Sequence, residues 1–262
     1  MTRADDAISV ISLGAGVQST ALLLMACHGE IDPMPIEAIF ADTGWEPQAV
    51  YDHLDWLRVV STIPIVIVQA GNIRDDALHG TSRFATMPVY VRNSDGTGRG
   101  MLRRQCTKEY KISPIRRHLR TVYPSQRIRL LMGISLDEAT RMKPSGVRYI
   151  DHDYPLVDRR MTRLDCLNWL ERRGYPRPPK SSCIGCPYHN NGYWRDMART
   201  NPVEWQDAVA FDAAVRSSLP RVHGEVFLHR QMIPLSEVDL STPEDRGQLS
   251  LFDQECEGFC GV

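Results

Sequence analysis

A short apolar strand that runs straight into a small-residue turn, and from there into an apolar helix, is the feature that most narrows what this chain can fold into. Residues 8–20 read Ile-Ser-Val-Ile-Ser-Leu-Gly-Ala-Gly-Val-Gln-Ser-Thr, and an apolar helical run follows over 21–27. The same alternation continues downstream. Residues 36–41 read as strand and 48–59 as helix. The continuous apolar run 63–68 suits a strand covered on both faces, and 129–134 reads as a further strand. Strand and helix in strict alternation predict an α/β fold with a doubly wound parallel sheet and helices on both of its faces. Ligands of such sheets bind beyond the carboxyl ends of the strands. The 13–20 turn and Asp42-Thr43-Gly44 both fall at such ends.

Residues 71–103 are loop-rich, with Asn-Ser-Asp-Gly-Thr-Gly at 93–98 as a turn signal. A basic helix is expected over 108–122, interrupted early by Pro114. A helix over 162–173 carries Thr162 as its N-cap, with Gly174 just past its end. Two further helices are expected near 192–200 and 202–218. This pattern divides the chain into an α/β domain over 1–150, a helical, cysteine-bearing extension packed on it over 151–240, and a mobile tail over 241–262. No apolar run approaches the ~20 residues of a membrane span. The polar, acidic start has no signal-peptide core, so a cytoplasmic location and no membrane partner are expected.

The residues of the turn carry chemistry. Without bulky side chains a ligand can approach backbone N–H groups, and the helix N-terminus behind them favours negative charge, which suits a phosphate or sulfate. Asp42 is placed to accept hydrogen bonds from a ribose or to hold a metal ion; its plainer role is a cap before the helix at 48. Charge is unevenly distributed. Residues 99–120 carry eight Lys/Arg and one acid, and residues 158–180 carry seven against three, in a chain of net charge −1. These segments suit an anion, either a nucleotide or a nucleic-acid backbone. Arg116, Arg117 and Arg120 by themselves read as a solvated helix face. The aromatics Tyr188, Tyr193 and Trp194 read as exposed and able to stack on bases.

The seven cysteines stand at 27, 106, 166, 183, 186, 256 and 260. Cys27 and Cys166 sit in apolar helical patterns and read as core residues. Cys183-Ile-Gly-Cys186-Pro187 presents two sulfurs to one metal or cluster, with Cys106 as a distant third; thiolates hold zinc and iron–sulfur clusters alike. His189 is either a nitrogen ligand or a packing residue, the latter being the simpler role. The tail thiols Cys256 and Cys260 suit a nucleophile brought over a nucleotide, or a fourth ligand.

Taken together these residues resemble the adenine-nucleotide α-hydrolase (PP-loop) superfamily, and within it the phosphoadenosine-phosphosulfate and adenosine-phosphosulfate reductases. The resemblance covers residues 8–187 at five places: the 12–20 turn, Phe40-Ala-Asp-Thr-Gly44 with Tyr51, Cys106-Thr-Lys-Glu-Tyr-Lys111 with Pro114, the 154–170 segment with Arg160, and Lys180-Ser-Ser-Cys183-Ile-Gly-Cys186-Pro187. It implies nucleotide contacts by Ser12, Gly14, Ala15, Gly16, Gln18, Ser19, Thr20, Asp42, Thr43, Gly44, Arg104, Lys111 and Arg160. It implies a 4Fe-4S cluster on Cys106, Cys183, Cys186 and Cys260, with zinc as the alternative metal, and a catalytic thiol at Cys256 or Cys260. The chain also departs from the pattern. Gln18 stands where the related ATP pyrophosphatases carry an acid, Cys106-Thr107 replaces a double cysteine, and no histidine follows Cys260.

Three readings follow. The first is a reductase-like enzyme in which a tail thiol attacks the sulfur of an adenylated sulfate and a thiol or redox-protein donor completes the reduction. The second is an ATP-dependent enzyme inserting sulfur into tRNA or DNA. The third is a non-catalytic, zinc-containing partner that binds nucleotide or nucleic acid.

Overall fold

The structure is a computed structural model that describes residues 7–79, 87–93, 99–219, 222–242 and 245. The strands β1 (Ile8–Leu13), β2 (Glu37–Asp42), β3 (Ile65–Gln69), β6 (Ile128–Met132) and β7 (Ile150–Asp153) form one sheet in the order β3-β2-β1-β6-β7. Every pairing in it is parallel. The expected α/β architecture is therefore present.

Side chains alternate across this sheet as parallel strands require. Ile11, Leu13, Ala38, Phe40 and Leu131 enter one core, with helices α1 (Val17–Cys27), α2 (Gln48–Val60), the one-turn α5 (Pro155–Asp158) and α6 (Arg163–Arg172) packed over them. Val10, Ile39, Ala41, Leu130 and Met132 enter a second core under α4 (Ser113–Val122). Pro114 does not break the basic helix. It sits in the first turn of α4, where its missing N–H costs nothing, and the segment before it winds as a π-helical turn, Thr107–Ile112. Helix α6 starts on the expected cap: Thr162 and Asp165 form a reciprocal capping box, and Gly174 beyond its end takes φ +73°.

One strand departs from its expected setting. β3 lies at the sheet edge, and Ile67 is 45% exposed, so the run is not covered on both faces. Its continuous apolar character reflects half-burial on each side of an edge strand.

The rest of the described chain builds a third core. The short strands β4 (Tyr90–Arg92), β5 (Arg99–Met101) and β8 (Glu225–Phe227) form an antiparallel sheet; of the turn expected at 93–98, residues 94–98 lie outside the described residues. With helices α3 (Ile73–His79), α7 (Asn191–Thr200) and α8 (Pro202–Val215) they enclose Trp45, Ile73, Tyr110, Ile184, Trp194 and Phe211. At its centre Asp212, 1% exposed, accepts the backbone N–H groups of Leu228 (2.8 Å) and Leu235 (3.0 Å) and pairs with Arg216. Among the described residues no helix is long and apolar enough to cross a membrane.

Candidate nucleotide pocket and thiol turn

A cavity of about 650 Å³ opens beyond the carboxyl ends of β1, β2 and β6. Its apolar wall is Phe40, Ala41, Ile115, Leu130, Met132 and Ile134. Across from that wall lies the start of α1. Its N-cap is Gly16, which has no side chain to cap with, and there is no acid in the first turn. The first N–H groups of this 11-residue helix therefore have no capping partner, and Gly16, Val17, Gln18 and Ser19 line the cavity. Ser19 turns back instead: its hydroxyl accepts the Gly14 N–H at 3.2 Å and donates to the Gly16 carbonyl at 3.2 Å. The turn is held in place by two close approaches. A Cβ on Gly133, at the end of β6, would stand 2.7 Å from the Ser19 backbone. Further along the chain, the Ser181 hydroxyl donates to the Gly14 carbonyl.

Six basic side chains line this cavity, Lys111, Arg116, Arg141, Arg163, Arg177 and Lys180, against two acids, Asp137 and Glu138. They arrive from the π-helical turn, α4, the 3-10 segment Leu136–Arg141, α6 and the proline-rich loop before Cys183. His152 also lines it; its Nδ1 lies 2.8 Å from the Lys143 carbonyl, and burial pulls its pKa below the ordinary value, so the ring is neutral at pH 7. Uncapped helical N–H groups, converging cations and an apolar wall can hold a phosphorylated or sulfated ligand with a flat ring.

The expected contacts separate into two groups. Ser12, Gly14, Gly16, Gln18, Ser19 and Lys111 line the cavity. Ala15 is fully buried behind the turn with φ +57°, and Thr20 is buried against His53, its hydroxyl 3.0 Å from Nε2. Asp42 neither lines the cavity nor caps α2, whose N-cap is Pro47. Its Oδ1 accepts the Gly44 N–H (2.7 Å) and the Tyr51 hydroxyl (2.9 Å), closing the strand-end turn. Burial and the Asp42 charge push the Tyr51 pKa above its ordinary value, so it remains a donor. Gly44 is required there: it takes φ +74°, and a Cβ would meet the Asn72 backbone at 3.0 Å. Arg104 lies over the Tyr188 ring, and Arg160 is exposed in a left-handed conformation, φ +56°. Arg117 and Arg120 are exposed as expected, but Arg116 is a pocket residue. Residue order alone does not show the convergence of Arg141, Arg163 and Arg177; the basic count of 158–180 signals only the latter two.

The thiols occupy a different setting beside the end of β2. The Ile184 N–H bonds to the Trp45 carbonyl, the Cys186 N–H to the Cys183 carbonyl, and the His189 N–H to the Cys186 carbonyl, at 2.9–3.1 Å. A Cβ on Gly185 would stand 2.1 Å from the Trp45 ring, so only glycine fits. The Cys183 sulfur lies 3.2 Å from the Thr43 hydroxyl and donates to Glu46 at 3.7 Å. Glu46 is 3% exposed, pairs with Lys111 at 3.7 Å, and leaves one buried oxygen without a hydrogen bond. His189 is a packing residue: Nε2 is 2.9 Å from the Cys183 carbonyl and its ring stacks on Tyr193. Trp194, expected on the surface, is fully buried, because α7 turns it into the third core. Cys166 is buried, its thiol pushed up to about 12 by that burial, and Cys27 is half-buried against Ser61. Cys106 and Cys183 border the same apolar cluster. Among the described residues, however, no three His, Cys, Asp or Glu side chains converge into a metal-holding group. The described thiols thus do not by themselves fit a cluster, and Cys256 and Cys260 lie outside the described residues.

No family model matches the chain, and no curated protein matches it. Among solved structures it is similar to phosphoadenylyl-sulfate reductase from Candida auris in a phosphate complex, with TM-score 0.45 and 14% identity over 65% of this chain and 74% of that one. It is also similar to the U34-tRNA thiolase NcsA from Methanococcus maripaludis with its 4Fe-4S cluster, with TM-score 0.39 and 14% identity over 81% and 72%.

Proposed function

We propose that the chain is an enzyme that binds an adenine nucleotide in the 650 Å³ cavity and performs sulfur chemistry on it, in the manner of a sulfonucleotide reductase. The observation that carries this reading is the uncapped start of α1 facing six basic side chains across an apolar wall. The adenine ring lies against Ile115, Leu130 and Met132. The anionic end takes the N–H groups of α1 with Arg141, Arg163 and Lys180. A thiolate, Cys256 or Cys260, attacks the sulfur of the adenylated sulfate. An S–S bond forms, the bond from that sulfur to the phosphate oxygen breaks, and the electron pair leaves on the nucleotide phosphate. The cations stabilise that developing charge. A second thiol, from a dithiol donor, then displaces sulfite and leaves a disulfide for the donor to reduce.

No step runs through a metal centre. Iron, sulfide and zinc quantitation on anaerobically prepared protein tests the cluster expectation on Cys106, Cys183, Cys186 and Cys260; zinc without iron supports the non-catalytic reading. ATP-dependent sulfur insertion into nucleic acid has one observation in its favour, the exposed Arg159, Arg172, Arg173 and Arg177 before, along and after α6. It requires salt-sensitive nucleic-acid binding and pyrophosphate release. The direct test of the leading reading is sulfite release from adenylated sulfate with a dithiol. Arg163→Ala should weaken nucleotide binding about tenfold, the worth of one charge-assisted hydrogen bond. No sulfite from the intact protein sinks the proposal.

A further inference from the structure

The two acids of the cavity have unlike duties. Asp137 Oδ1 accepts the Arg163 N–H at 3.0 Å and so serves the start of α6. Glu138 faces cations instead. Its Oε2 lies 2.7 Å from Arg141 Nη1, both side chains being 17% exposed, and it also accepts Gln18 Nε2 at 3.2 Å. Gln18 is itself held from two sides: Nε2 lies 3.3 Å from the hydroxyl of fully buried Ser135, and Oε1 accepts Arg163 Nη1 at 3.4 Å. Glu138, Gln18, Arg141 and Arg163 all line the cavity.

We propose that Glu138 is a specificity-determining residue: its carboxylate stands on Arg141 where a ligand oxyanion would, and an anion enters only as that carboxylate yields. A carboxylate and a phosphate or sulfate oxygen present the same acceptors to a guanidinium, so they compete for it. They also repel each other where water is scarce. A neutral ligand feels neither effect. Glu138 therefore weakens the hold on small anions and leaves the apolar wall untouched, so a ligand must engage that wall as well as the cations. The inference rests on the nucleotide reading above and adds to it the group that sets its selectivity. A Glu138 that held a cation or a ribose hydroxyl would act in the opposite sense, because its removal would then weaken binding.

The test is calorimetric titration of the full chain and its Glu138→Gln variant with inorganic sulfate, AMP and adenosine. The expected result is sulfate and AMP binding about tenfold tighter in the variant, with adenosine unchanged. Gln18→Ala, which removes one of the two holds on Glu138, should tighten sulfate about threefold in the same direction, and it serves if the first variant fails to fold. Weaker or unchanged sulfate and AMP binding in folded Glu138→Gln overturns the inference. So does AMP binding that needs Mg²⁺ in the parent and loses that need in the variant. If sulfate tightens while neither protein binds AMP or adenosine, the inference stands and the nucleotide reading falls.

Discussion

The glycine turn after β1 and the thiol turn lie near the same end of the sheet and are built in opposite ways. At residues 14–19 a helix begins with unsatisfied donors, cations converge from several segments, and a large cavity separates them from an apolar wall. At residues 183–189 the N–H groups of Ile184, Cys186 and His189 are bonded, a glycine is pressed against an indole, and a carboxylate is buried beneath a thiol. Donors left unsatisfied around a cavity are paired by a ligand; a turn with its backbone bonds made and no room for a methyl group holds its side chains in one place. In the proposed function the first region recognises the ligand, and the second fixes sulfur atoms relative to it.

That contrast can be broken experimentally, beginning where the effect is largest. Asp212→Ala removes the acceptor that ties β8 and the following turn to α8 and leaves Arg216 without its partner. It should destabilise the third core by about 3–5 kcal/mol, read as a large fall in thermal midpoint. Should the midpoint hold, the packed region does not depend on that core. Acidification comes next. His53 behind the nucleotide turn and His229 bonded to Asn191 are both pulled down to about 4 by burial. Each folded pKa lies below the unfolded value of about 6.5, so the unfolded chain binds more protons between those limits. Stability should be flat above pH 6.5 and fall towards pH 4, by roughly 2 kcal/mol for each ring once solvent screening is allowed for. His53→Gln and His229→Gln, compared by hydrogen exchange, show which region opens first.

Gly185→Ala drives a methyl into Trp45 and should lower stability by about 1–3 kcal/mol while AMP affinity changes less than threefold. An equal loss of affinity would show that the two turns are mechanically one. The smallest effect is Ala15→Gly. It relieves a left-handed alanine, worth about 1 kcal/mol, and removes a buried methyl, worth about 0.8 kcal/mol, so urea denaturation should move by less than about 0.5 kcal/mol.

Four of the five main strands, and the helices with periodic apolar faces or clear caps, could be read directly from residue order, because pattern and capping chemistry are local. β7 was not, since Ile-Asp-His-Asp is short and polar, and its pairing with β6 is a tertiary fact. The three-residue strands of the small sheet are too short to show a period. Within the pocket, glycines and serines of the turn could be read because a strand-to-helix junction needs them. Arg141, Arg163 and Arg177 could not, because only folding brings their segments together. Trp194 misled for a related reason: tryptophan beside tyrosines and charges reads as surface until α7 is packed against α8.

The contact between the Ser181 hydroxyl and the Gly14 carbonyl spans 167 residues of chain. During synthesis on a ribosome the glycine turn emerges long before the loop that braces it, which also carries Arg177 and Lys180. Under the proposed function ligand affinity is thus acquired in one late event, and a nascent chain cannot sequester nucleotide before the bracing loop has docked.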